Sequence, residues 1–154
     1  MSLTVNTPTD EQYMAQALAL AKQAIEHDEV PVGCLVVKDE QVIGQGYNKS
    51  ILECDPSAHA EIVALRQAAK TEGSYRLDGA TLYVTVEPCL MCCGALLQAR
   101  ISRLVYGVRE PRTGAVVSQF DSLMSQNNRP IAISEGVLAD EAKALMQAFF
   151  EARR

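Results

Sequence analysis

Apolar residues recur along this chain with two periods. In "TPTDEQYMAQALALAKQAIEHDE", Met14, Leu18, Ala21 and Ile25 fall three or four apart and so share one face of a helix. Thr9 followed by Gln12 has capping-box spacing, which places the helix start at Thr9. "VPVGCLVV" and "QVIGQGYN" are short, rich in valine and isoleucine, and separated by Lys38-Asp39-Glu40, so they predict two paired strands. "AHAEIVALRQAAKTEG" returns to helical spacing, with Ser57 as the expected N-cap and Gly73 as the stop. "ATLYVTV" reads as a buried strand, and "PCLMCCGALLQAR" as a helix with proline near its first turn. A short strand "RLVYGV", a long loop with one helical turn, a last strand "IAIS" and an amphipathic helix "LADEAKALMQAFFEARR" complete the pattern. Strands that alternate with helices after an initial hairpin predict an α/β fold of three layers, α/β/α, around a mixed sheet of about five strands. No repeat, linker or low-complexity tract divides residues 1–154, so one domain is expected.

Composition narrows the function classes. Hydrophobic residues make up 48% of the chain and charged residues 21%, an ordinary globular mixture. The net charge of −5 excludes nucleic-acid binding driven by bulk positive charge, though not by a local patch. No apolar run approaches a membrane span, and "MSLTVNTPTDEQ" lacks a basic and then apolar signal region. With an odd count of five cysteines, the expected setting is a reducing cytoplasm. There, clustered cysteines more often bind metal or do chemistry than form disulfides.

Two stretches carry candidate chemistry. "SAHAEIVAL" and "EPCLMCCGAL" each open a predicted helix after an extended segment. Side chains in a first helical turn lean toward the N-terminus, so His59 and Glu61 can both reach a point just beyond it. Cys89 and Cys92, three apart, lie side by side. A point in front of both helices would face one imidazole, two thiols and one carboxylate. Helix dipoles favour thiolates there. His59, Cys89 and Cys92 supply one donor fewer than zinc's usual four, which keeps a position for water, and Glu61 is free to move protons. Either motif alone is weak, since cysteine is also a small buried hydrophobe. Together, His-x-Glu and Pro-Cys-x-x-Cys form the signature of zinc-dependent deaminases. Cys93 is on the same face, but only the Cys89/Cys92 spacing fits that signature, so Cys93 is expected to be a core thiol. His27, in a charged run, is expected to be solvated.

The chain resembles the bacterial tRNA-specific adenosine deaminases of the cytidine-deaminase-like superfamily. The resemblance runs from Tyr13 to Arg154 through "EVPVG", "VIGQGYN", "DPSAHAEIVALRQA", "YRLDGATLYVTVEPCLMC", "RISRLVYGVREPRTGA" and "EGVLADEAKALMQAFFEARR". It implies a cytidine-deaminase-like fold and one zinc per chain on His59, Cys89 and Cys92. It implies that Glu61 carries protons while activated water attacks the amino-bearing carbon of adenine. Asn48, by local pattern a turn residue at a strand end, would hydrogen-bond the base, and the Ala60 backbone would lie nearby. The implied substrate is the wobble adenosine of an arginine tRNA, splayed out of its anticodon stem-loop. The implied assembly is a homodimer. Arg100, Arg103, Arg109, Arg112, Arg129, Arg153 and Arg154 become candidates for phosphate contact, with Glu110 in the same loop. Glu110 stands where many members have Asp, Arg129 where histidine is frequent, and Cys34 and Cys93 where alanine is common. The sequence leaves two further readings: a small-molecule deaminase of a free base or nucleoside such as cytosine or guanine, and a non-enzymatic zinc- or RNA-binding module.

Overall fold

The computed structural model describes residues 2–3, 8–125 and 130–153. The elements are β1 (Ser2–Leu3), α1 (Pro8–Ile25), β2 (Gly33–Lys38), β3 (Gln41–Tyr47), α2 (Ala60–Glu72) and β4 (Thr81–Val86). They continue with α3 (Leu90–Ala99), β5 (Arg103–Val108), α4 (Ser122–Ser125), β6 (Ala132–Ser134) and α5 (Ala139–Glu151). The strands form one sheet in the order β1-β6-β5-β4-β2-β3. β4, β5, β6 and β1 are mutually parallel, and β2 runs antiparallel to both β3 and β4. The five longer strands are those expected. The two-residue β1, paired with β6 at the edge, was not, because two residues carry no hydrophobic period.

α1 and α5 cover one face of the sheet, and α2 and α3 the other. Alternation within the strands sorts the core. Leu35, Val37, Tyr83 and Val105 pack under α1 with Met14, Ala17 and Leu20. Val36, Leu82, Val84, Leu104 and Tyr106 face α2 and α3. The Asp39-Glu40 hairpin turn has φ of 50° and 63°, so its two residues are left-handed, as a tight hairpin between twisted strands requires. Gly44 lets α2 sit close on β3, since a Cβ there would run into the Ala64 carbonyl and Ala68.

Several boundaries depart from the sequence pattern. α1 begins at Pro8, so Thr9 lies inside the helix and is no cap; proline's fixed φ suits the first helical position. Ile25 is only half-buried, and the core stripe runs instead through Met14, Ala17, Ala21 and Ala24. His59 holds the N-cap position of α2 without a side-chain cap hydrogen bond, and Ser57 instead donates its N–H and hydroxyl to Asp55. Gly73 closes α2 in the left-handed conformation as expected.

Candidate functional site

α2 and α3 start at the same end of the sheet, and their N-cap residues are His59 and Cys89. Neither side chain caps its own helix; both point across the gap between the two helix starts. His59 Nδ1 lies 3.6 Å from Cys89 Sγ and 3.5 Å from Cys92 Sγ. One donor atom from each of the three residues falls within 4.8 Å of the others. The hydrogen bond with Cys92, helped by His59, pulls the Cys89 thiol down to about 4, while the same bond and burial push Cys92 far up. The neighbouring imidazole is raised as well, chiefly by its hydrogen bond with Cys89. A thiolate, a second thiol and an imidazole converging on one point are donors that suit a soft cation. One nitrogen and two sulfurs match zinc in type, and three donors is the count of a catalytic rather than a closed structural site.

Cys93 stays outside this group. It is fully buried, points at the Pro88 carbonyl and belongs to the core, where burial raises its thiol to about 12. Cys34 is likewise a buried core thiol, and Cys54 is exposed. His27 is exposed, as expected, and stacks on Tyr47.

Glu61 is 4% exposed and sits beside the three donors. Burial, reinforced by Cys89, raises its carboxyl to about 7, where a group both accepts and releases protons near neutral pH. Asn48, at the end of β3, accepts the Ala60 N–H at 2.8 Å through its side-chain oxygen. That leaves the Asn48 amide nitrogen as its group for the cleft. Ala60 itself is fully buried between His59 and Glu61, which both line the cleft.

These residues open into a cleft of about 950 Å³. Its floor is Asn48, His59, Glu61 and Cys89, with Val30, Val32 and Val86 as apolar walls. Glu110, Arg112 and Thr113 form one rim, and Met146, Gln147, Phe150, Glu151 and Arg153 of the C-terminal region form another. Two carboxylates that the sequence pattern did not single out hold the surrounding loops. Glu29, 3% exposed, accepts the N–H groups of Ile51 and Leu52. Glu87, also 3% exposed, accepts N–H groups from Glu110, Val116, Val117 and Ser118 and the Ser118 hydroxyl. Burial alone would raise the Glu87 carboxyl, but these donors outweigh it and hold it below the usual range. The signal for Glu87 was an acid closing the apolar run "TLYVTV".

The arginines do not gather. Arg100 ends α3 and Arg103 opens β5, both at the far end of the sheet from the cleft. Arg103 is held by Asp10 in two 2.8 Å contacts and by Ser134. Parallel β4 and β5 both start at the end opposite Cys89, so these two arginines do not border the cleft. Arg109 pairs with Glu135 at 2.9 Å. Arg112 and Arg153 do border the cleft; Arg153 pairs with Asp28 and lies 3.5 Å over the Phe149 ring. Glu110 and Glu151 share those rims, so the cleft rims mix acidic and basic groups. Arg129 and Arg154 lie outside the described residues.

Comparison with known proteins adds a second line of observation. The family model of the cytidine and deoxycytidylate deaminase zinc-binding region matches residues 7–108, which include all three donors and Glu61. The tRNA-specific adenosine deaminase of Haemophilus influenzae is 46% identical over 152 residues, covering 97% of this chain and 88% of that protein. The enzyme of the same name from Bacillus subtilis is 38% identical over 146 residues, covering 94% and 91%. Among solved structures, a tRNA A34 deaminase that performs A-to-I editing at the wobble position superposes with a TM-score of 0.83 at 40% identity. That match covers 87% of this chain and 98% of the other. A guanine deaminase from Nitrosomonas europaea superposes with a TM-score of 0.73 at 25% identity, over 95% and 86%.

Proposed function

The chain belongs to the tRNA-specific adenosine deaminases of the zinc-dependent deaminase superfamily, and on that premise we propose that it converts the wobble adenosine of an arginine tRNA to inosine. The observation that carries this reading is the convergence of His59, Cys89 and Cys92 beside a buried Glu61 at the floor of an open cleft. Zinc held by those three residues supplies the acidity that makes a nucleophile of water near neutral pH.

The chain's own residues do the rest. Glu61, poised near neutrality by burial, takes one proton from water and gives it to the purine ring, then carries the second proton, from the added hydroxyl, to the departing amine. Water and adenosine go in; inosine and ammonia come out. The Asn48 amide nitrogen offers a donor to the base from one side, while Val30, Val32 and Val86 give its faces an apolar slot. Only an unstacked base reaches this floor, which favours a single-stranded loop over a duplex. Arg112 and Arg153 are placed to meet phosphates of the flanking nucleotides. Glu110 shapes the same rim, and Arg109, Arg129 and Arg154 remain proposed contacts.

A second copy of the chain is the expected partner. Leu90, Met91, Val117 and Phe120 are exposed apolar residues around the start of α3 and the loop that packs on it, a surface suited to burial between two protomers. No described helix is long and apolar enough to cross a membrane. Activity on tRNA fits a cytoplasmic setting. The test offers the purified protein an anticodon stem-loop with adenosine at the wobble position, beside free adenosine, adenine, guanine and cytosine. Rapid inosine formation in the stem-loop alone is expected. Equal or faster turnover of a free base would assign the site to small-molecule deamination.

A further inference from the structure

We propose that Glu87 is a positioning residue that shapes the cleft wall for the nucleotides flanking the reacting base; this rests on the tRNA reading above. Glu87 directly follows β4, two residues before Cys89. Its carboxylate is enclosed by the segment 110–118. Oε1 accepts the Glu110 N–H at 3.0 Å and the Ser118 hydroxyl at 2.5 Å. Oε2 accepts the N–H groups of Val116, Val117 and Ser118 at 3.0, 2.9 and 3.0 Å. Four amides converge on one side chain only when the backbone wraps tightly around it. Gly114 makes the wrap possible, because a Cβ there would land on the Glu87 carboxylate.

The same segment is tied to the backbone that carries a metal donor. Gly114 bridges Cys89, and the Ala115 N–H donates to the Pro88 carbonyl at 2.8 Å. Glu87 itself lines the cleft, together with Glu110, Arg112 and Thr113 of this segment. Most of this segment is neither helix nor strand, so nothing in a regular ladder fixes its path. Glu87 supplies the missing template, and it sets the rim in register with the metal donors.

The substitution Glu87→Gln isolates this role. The glutamine carbonyl can stand in for Oε2 and keep Val116, Val117 and Ser118 satisfied. Its NH₂ group then takes the place of Oε1 and meets the Glu110 N–H donor to donor, while the Ser118 hydroxyl can rotate to accept. One contact is lost, and it lies at the rim end of the segment.

The experiment compares wild type, Glu87→Gln and Glu87→Ala as zinc-loaded proteins. Both variants are expected to keep wild-type zinc content. Glu87→Gln should raise KM for the anticodon stem-loop by roughly ten-fold, equivalent to ~1.4 kcal/mol, with kcat nearly unchanged. Hydrogen exchange should accelerate at the Glu110 amide in Glu87→Gln, and at 116–118 as well in Glu87→Ala, with α2 and α3 unaffected. Unchanged KM and exchange in Glu87→Gln would overturn the proposal. So would a loss confined to kcat, or zinc released from that variant. A wild-type protein inert toward the stem-loop would sink the tRNA reading and the substrate assigned to this wall. The exchange data would then still decide whether Glu87 holds the segment.

Discussion

Cys92 and Cys93 are adjacent on α3, equally buried, and have opposite expected fates on conversion to alanine. Cys93 is packed among core residues and donates weakly to the Pro88 carbonyl. Cys93→Ala removes a buried sulfur about the size of one or two methylene groups, a cost of ~1–2 kcal/mol including the cavity. At the ~2–4 °C per kcal/mol expected for a chain of this length, Tm falls by about 2–8 °C. The zinc should stay, at one per chain. Cys92→Ala deletes a sulfur 3.5 Å from His59 Nδ1 and leaves two donors in place of three. Zinc present at a hundred times its dissociation constant adds ~2.7 kcal/mol to the folded state. A chelator should therefore lower Tm by about 5–11 °C in wild type and in Cys93→Ala, and leave Cys92→Ala unmoved. Atomic emission reads the metal content and a thermal melt with and without chelator reads the linkage. Zinc lost from Cys93→Ala, or a chelator-sensitive melt in Cys92→Ala, would refute the donor assignment.

Glu61→Gln keeps the shape of a buried group while removing its proton chemistry, so zinc content should hold and turnover on the stem-loop should fall by roughly 10²–10⁴. Zinc analysis beside single-turnover kinetics checks this, and lost metal would make Glu61 a ligand. Asp10 is 1% exposed and holds Arg103 and the Tyr83 hydroxyl, so Asp10→Ala strands a partly buried guanidinium. Arg103 retains Ser134 and some solvent, which puts the cost near the lower limit for such pairs, ~3 kcal/mol or about 6–12 °C in Tm, with zinc unaffected. Arg112→Ala should weaken stem-loop binding and reduce the slope of log affinity against log salt by about 0.7, the loss of one single-strand phosphate contact. A salt titration showing an unchanged slope would remove Arg112 from the RNA surface.

The elements that carry a long hydrophobic period, α1, α2, α3, α5 and the strands β2 to β5, were legible because burial on one face leaves a mark at every third, fourth or second residue. Caps and short edges were not. Thr9 and Ser57 had the right chemistry for N-caps, yet the sheet positions the helices so that Pro8 and His59 occupy the decisive places. The zinc donors were legible for a different reason. Their chemistry demands particular residue types at particular spacings, and that demand survives in the sequence even though residues 59 and 89 meet only through the fold. The roles of Glu29 and Glu87 were not legible: an acid closing "TLYVTV" is visible, but the backbone amides these carboxylates hold lie far along the chain and leave no trace in residue identity. The arginines raise the same problem. Their number is visible, but whether each faces the cleft depends on strand direction, and Arg103 is half of a partly buried ion pair at the other end of the sheet.

The rim contributed by residues 146–153 has a consequence for how the protein is made. On a translating ribosome the metal donors, all within 59–92, emerge some fifty residues before that rim does. The part of the chain that holds zinc and the part that receives substrate are therefore separated in time. A nascent chain at that stage has its donors outside the ribosome while one wall of the cleft is still being synthesised. The reactive floor is thus enclosed on that side only when the translated segment reaches Phe150 and Arg153.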